Sequence, residues 1–146
     1  MAIVWTKPNI KDELGEYFEN SFTKAYFKKM GHVFKTDKEL TDFLSAGTLT
    51  SVTRAEFKTA DNMTLTDRDF DKELKDKEYA KSYVSMCEGL IKDPNIPLPA
   101  PIVIRFGKKY YGFAGNRRMN LAFRNGLRLK VFLVSAVERK PEPVLK

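Results

Sequence analysis

The sequence predicts an α/β fold of the α+β kind, a small mixed β-sheet with packed helices and a helical N-terminal extension. Three observations predict it. An apolar run, Pro101-Ile-Val-Ile-Arg-Phe106, a Gly107-Lys108 turn and a second aromatic run ending at Ala114 have the pattern of a β-hairpin. Gly115 then opens a short helix that starts with two arginines and stops at Gly126. Leu127 to Val134 alternates and reads as a closing strand.

The remaining elements follow from local signals. Leu14, Tyr17, Phe18, Phe22, Ala25 and Met30 recur at three- and four-residue intervals, which predicts one amphipathic helix from Lys11 to about Met30, stopped by Gly31. Thr36 with Glu39 is a capping-box pattern, so a second short helix runs to near Gly47. Leu49–Thr53 reads as a strand, and Lys58–Thr66 as a loop. Thr66 and Asp69 form a cap-like pair ahead of one long helix to about Ile91. Asp93-Pro94-Asn95 breaks it, and Pro97, Pro99 and Pro101 hold an extended connection. The expected organisation is a helical extension over 1–47, a core over 48–136 and a tail over 137–146, partly disordered or completed by a partner.

Composition narrows the function classes. With 146 residues and 42% hydrophobic content, the chain supports a core, and its seventeen Phe and Tyr residues supply large pieces for it. No run approaches the roughly 20 apolar residues that span a membrane, and Met1–Pro8 does not read as a signal peptide. One cysteine excludes an internal disulfide, and one cysteine with one histidine leaves little for a zinc site. A cytoplasmic protein with no metal-ligating cluster is expected, hard cations such as magnesium excepted. The net charge of +7 is uneven. From residue 101 onward eleven Lys and Arg face two Glu, whereas residues 1–100 carry fifteen against seventeen acids. The basic excess therefore belongs to the hairpin–helix–strand unit and favours a polyanionic partner.

The candidate site lies in that unit. A glycine turn feeding a helix N-terminus, with cationic side chains in the first turn, is a recipe for holding a phosphate. Asn116 is expected as the N-cap and Gly126 as the C′ glycine, with Met119, Ala122 and Phe123 on the apolar face and Arg117, Asn120 and Arg124 on a polar stripe. The phosphate-binding candidates are Gly115, Asn116, Arg117, Arg118, Asn120 and Arg124. Lys108, Lys109, Arg128 and Lys130 are the nucleic-acid-binding candidates, and either Tyr110 or Tyr111 is expected to face solvent and stack on a base or to pack in the sheet. Arg54 and Glu56, just past a strand, are the catalytic candidates. Asp67, Asp69, Asp71 and Glu73 fit a solvated helix start better than a metal site. His32 reads as a turn residue, Cys87 as core packing, and Trp5 as a staple between the N-terminus and the core.

Ala114-Gly115-Asn116-Arg117-Arg118, followed by Ala122, Gly126 and Val131, resembles the ParB/sulfiredoxin superfamily motif of a strand, Gly-Glu-Arg-Arg or Gly-Cys-His-Arg, a helix, a glycine and a strand. The helix with Glu88-Gly89-Leu90-Ile91 resembles the family helix that precedes the first core strand. The likeness covers about a quarter of the chain well and about half loosely. It implies a nucleoside triphosphate, ATP or CTP, held with Mg²⁺ at the glycine-led turn, with Gly115, Arg117 and Arg118 on its phosphates. It also implies a role on or near DNA or RNA, through phosphoryl transfer or nucleotide-gated binding. Asn116 stands where the family carries a cysteine nucleophile or a glutamate, so sulfiredoxin chemistry is not implied and hydrolysis is left open. No helix-turn-helix follows the motif, so sequence-specific DNA partition is not expected. Two other readings stand beside this one: a non-enzymatic basic nucleic-acid binder, and a phage- or plasmid-type interaction protein that has kept the fold without catalysis.

Overall fold

In the computed structural model, which describes residues 3–63, 67–93, 95 and 97–137, the first hairpin strand and the closing strand form the centre of the main sheet, and the second hairpin strand forms one edge. Ile102–Phe106 (β4) pairs antiparallel with Lys109–Ala114 (β5), and Leu129–Ala136 (β6) lies parallel to β4 on its other side. Thr48–Val52 (β2) pairs antiparallel with β6, giving the order β2-β6-β4-β5. Ile102, Val103 and Ile104 are buried on both faces of β4, which is why its first half reads as an apolar run rather than an alternation, while Arg105 is exposed. The crossover from β5 to β6 is Asn116–Arg124 (α6). The fold is mixed α and β, as the sequence predicts.

The α6 helix is specified at both ends, with one correction at its start. The cap is Gly115, not Asn116: Gly115 takes a left-handed φ of +88°, and Asn116 is already helical. Only glycine adopts that backbone without strain, and a Cβ there would lie 2.8 Å from Pro101 Cα and 2.7 Å from Arg118 Nη2. At the far end Gly126 has φ +64°, and the Leu127 amide donates to the Ala122 carbonyl at 2.9 Å, a Schellman closure.

Two helices expected as single rods are broken by caps. The segment from Lys11 to Met30 is a 3₁₀ turn at Ile10–Glu13, then Gly15–Phe18 (α1) and Ser21–Lys29 (α2). Asn20 stops continuity because its side chain accepts the amides of Phe22 and Thr23, which starts a new helix. Likewise Asp76 accepts the amides of Glu78 and Tyr79, so Asp67–Leu74 (α4) and Lys77–Lys92 (α5) are separate. Asp37–Ser45 (α3) begins at Thr36 as expected. The cap expected at Thr66 lies outside the described residues.

The extended prolines do more than connect. Pro97–Pro99 (β3) pairs in parallel with Val4–Thr6 (β1) as a separate two-stranded ribbon. Trp5, 8% exposed, donates its indole N–H to the Arg128 carbonyl at 2.9 Å and ties that ribbon to the start of β6. The N-terminal helices share the sheet's core. The fully buried Phe27 ring stands edge-on to Phe106, 5.2 Å between centroids, and to Tyr111 at 5.9 Å. His32 is nearly buried, with its Nε2 2.7 Å from the Val137 carbonyl oxygen. Among the described residues no helix is long and apolar enough to cross a membrane.

Candidate functional site

Gly115 lies just past the end of β5, and its turn opens onto a cleft of about 670 Å³. The cleft is walled by the turn itself, by Arg117, Arg118 and Met119 on α6, and by Leu98 and Pro99 on β3. Gly115 has no side chain to cap the helix, and the first turn of α6 holds no acid. The positive end of the helix dipole is thus directed at the cleft without a competing carboxylate on its own element.

The carboxylates come from elsewhere. Glu13, on the 3₁₀ turn, Glu16 on α1 and Glu73 on α4 also line the cleft. Arg118 Nη2 stands 3.8 Å from Glu13 Oε1, and each of these side chains is 20% exposed. Burial lowers the Arg118 guanidinium, while Glu13 and Glu16 oppose that effect. Its Nε is buried and has no hydrogen-bond partner among the described residues. Burial also pushes the Glu16 carboxyl up; Glu13 adds to the rise and Arg118 opposes it. Arg117 stacks its guanidinium 5.1 Å from the centroid of the Tyr79 ring on α5. Burial raises the Tyr79 phenol, Glu73 adds to that, and Asn120, Arg117 and Arg124 oppose it.

The phosphate-binding candidates are therefore only partly brought together. Gly115, Asn116, Arg117 and Arg118 line the cleft. Asn120 does not: it is 1% exposed, and its amide donates to the Asn116 carbonyl at 3.0 Å, which steadies the first turn. Arg124 is half-buried at the far end of α6, on the side of Tyr79 and Tyr83, and does not line the cleft. Lys108 and Lys109 sit at the β4–β5 turn, whereas Arg128 and Lys130 sit where β6 begins. Because β6 runs parallel to β4, these two pairs lie at opposite ends of the sheet, with Arg128 and Lys130 on the Gly115 side.

Arg54 and Glu56 lie away from the Gly115 cleft. Glu56 accepts the Thr53 amide at 2.7 Å as part of a capping box for the 3₁₀ turn Arg54–Phe57. Arg54 lines a second cavity of about 530 Å³ and places its guanidinium 5.9 Å from the Phe123 centroid. Tyr111 is fully buried and shares a 2.8 Å hydrogen bond with Thr23, while the half-buried Tyr110 packs edge-on to Phe57 and under Arg105. Of the acidic cluster weighed at the start of α4, Glu73 reaches the cleft and Asp71 is exposed; the side chains of Asp67 and Asp69 lie outside the described residues. Cys87 is half-buried beside Asn125. Among the described residues no three metal-ligating groups converge.

The sequence did not point to Glu13, Glu16 or Tyr79. Each lies far from Gly115 along the chain, and no local periodicity carries that distance. No protein-family model, curated protein or solved structure matches the chain.

Proposed function

We propose that the chain binds a nucleoside triphosphate at the Gly115–Arg118 turn and acts on or near nucleic acid, in the manner its resemblance to the ParB/sulfiredoxin superfamily implies. The observation that carries this reading is Arg118. It lies on the cleft wall in the first turn of α6, largely withdrawn from water but one-fifth exposed, with Glu13 3.8 Å away as its ion-pair partner. A phosphate in the cleft would meet the exposed part of that guanidinium, and the first-turn amides of α6 and the Arg117 guanidinium would supply further donors.

A magnesium ion fits the same arrangement in one respect. Mg²⁺ on a triphosphate takes one or two protein carboxylates and completes its shell with phosphate oxygens and water, so it needs no three-residue cage. Glu13 and Glu16 are the cleft carboxylates beside Arg118 that would face it. Bound there, the ion would neutralise phosphate charge. Asn116 contributes no carboxylate at the turn, so the reading is one of binding and positioning. A single cysteine and a phosphorylated ligand suit a cytoplasmic setting.

The test is a thermal-shift series with ATP, CTP, GTP and UTP in the presence of magnesium, on the parent chain and on Arg117→Ala. A ligand that binds only the folded state raises the midpoint. A rise in the parent that Arg117→Ala abolishes supports the reading. Unmoved midpoints with all four nucleotides overturn it.

A further inference from the structure

The second cavity differs from the first in charge. Ser51, Thr53, Arg54, Phe123 and Arg128 are among its walls, and none of the described residues that line it is a carboxylate, whereas Glu13, Glu16 and Glu73 line the Gly115 cleft. Strand register explains the pairing of its arginines. Val52 stands opposite Leu129, so the chain leaving β2 at Arg54 and the chain entering β6 at Arg128 share one corner of the sheet. Lys130 stands opposite Ser51 and adds a third exposed cation there. The nearest acid in sequence, Glu56, is held on the Thr53 amide as a cap.

The corner is also built rather than incidental. The Arg128 carbonyl is fixed by Trp5 while its side chain is exposed. Arg54 lies 5.9 Å from the face of Phe123, so a cation and an aromatic ring stand together in one concavity. From there α6 leads over nine residues, about 13 Å of axis, to the arginines at the Gly115 turn.

We propose that this second cavity binds the backbone of a single-stranded nucleic acid, with Arg54 and Arg128 on phosphates and Phe123, whose ring Arg54 covers on one face, as the apolar wall against a base. It rests on the reading of the chain as one that works on or near nucleic acid. A cavity of this size admits one splayed nucleotide, and cations with an aromatic platform are how single strands are held without sequence readout.

The experiment is fluorescence anisotropy with labelled oligo(dT) and oligo(U) of about 12 nucleotides, taken across a salt series. Its subjects are the parent chain, the double variant Arg54→Gln with Arg128→Gln, and the matching double variant to Lys. Melting midpoints check that each variant is folded. The Gln pair is expected to weaken binding at least about tenfold and to lower the salt slope by about 1.4, the share of two phosphate contacts on a single strand. The Lys pair should restore most of both. Unchanged affinity and slope in the folded Gln pair overturn the cavity assignment alone. Absence of binding by the parent chain at low salt overturns it together with the nucleic-acid reading, while the nucleotide thermal shift remains a separate result.

Discussion

Arg118 and Glu13 face one another across the Gly115 cleft, Nη2 to Oε1 3.8 Å, each with a side chain 20% exposed. The separation is long for an ion pair with good hydrogen-bond geometry, and a phosphate would compete with Glu13 for the same guanidinium. Without magnesium, where Glu13 has no metal to face, Glu13→Gln is therefore expected to tighten binding of a triphosphate about fivefold while costing about 1 kcal/mol of stability. Calorimetric titration alongside denaturant unfolding reads both, and weaker binding in the variant would contradict the competition.

Glu16 sets a pH dependence of stability. Its carboxyl is raised above 4.5 chiefly by burial, with Glu13 adding and Arg118 opposing. The folded state thus holds its proton more tightly than the unfolded chain does. Its contribution to stability is fully present below the unfolded value and is lost as pH rises through the folded one. Glu16→Gln should raise the melting midpoint relative to the parent at pH 7 and leave it nearly unchanged at pH 4. An equal effect at both pH values would contradict this account.

Two glycines at the two ends of α6 should respond differently to alanine. At Gly115 a Cβ meets Pro101 at 2.8 Å in addition to the cost of a φ of +88°, whereas at Gly126 nothing lies within 4 Å. Gly126→Ala should cost about 1 kcal/mol from backbone strain alone, and Gly115→Ala about 3 kcal/mol. Urea unfolding of the two variants measures the difference, and equal losses would argue against the close approach of Pro101.

Tyr111→Phe removes the 2.8 Å bond to Thr23 and leaves that hydroxyl buried, since Thr23 is 2% exposed. The expected loss is about 1–2 kcal/mol, and the double change Tyr111→Phe with Thr23→Val should recover part of it. A double variant no better than the single one would show that the hydroxyl finds another partner.

The C-terminal half was legible because its signals are local. Apolar runs, Gly107, Gly115 and Gly126 mark every boundary from Ile102 to Ala136 within a few residues. The helices upstream were misjudged where one side chain overrides periodicity: Asn20 and Asp76 sit inside patterns that look continuous, yet each captures two amides and restarts the helix. The ribbon of β1 and β3 was illegible because its three residue pairs join segments more than ninety positions apart, and prolines on an edge look like a linker. Half of the Gly115 cleft was readable for the same reason as the hairpin. Its acidic wall was not, because Glu13 and Glu16 arrive there through the packing of α1 and the 3₁₀ turn. The meeting of Arg54 with Arg128 depends on the β2–β6 register and was likewise hidden.

The most direct test of the central claim is an amide NMR titration of the ¹⁵N-labelled chain with ATP or CTP and magnesium. Saturable shifts concentrated on Gly115, Asn116, Arg117, Arg118 and Met119 are the predicted result, because those amides form the turn and the open end of α6. Shifts that bypass these residues and gather at Lys108 and Lys109, or no shifts at all, would contradict it.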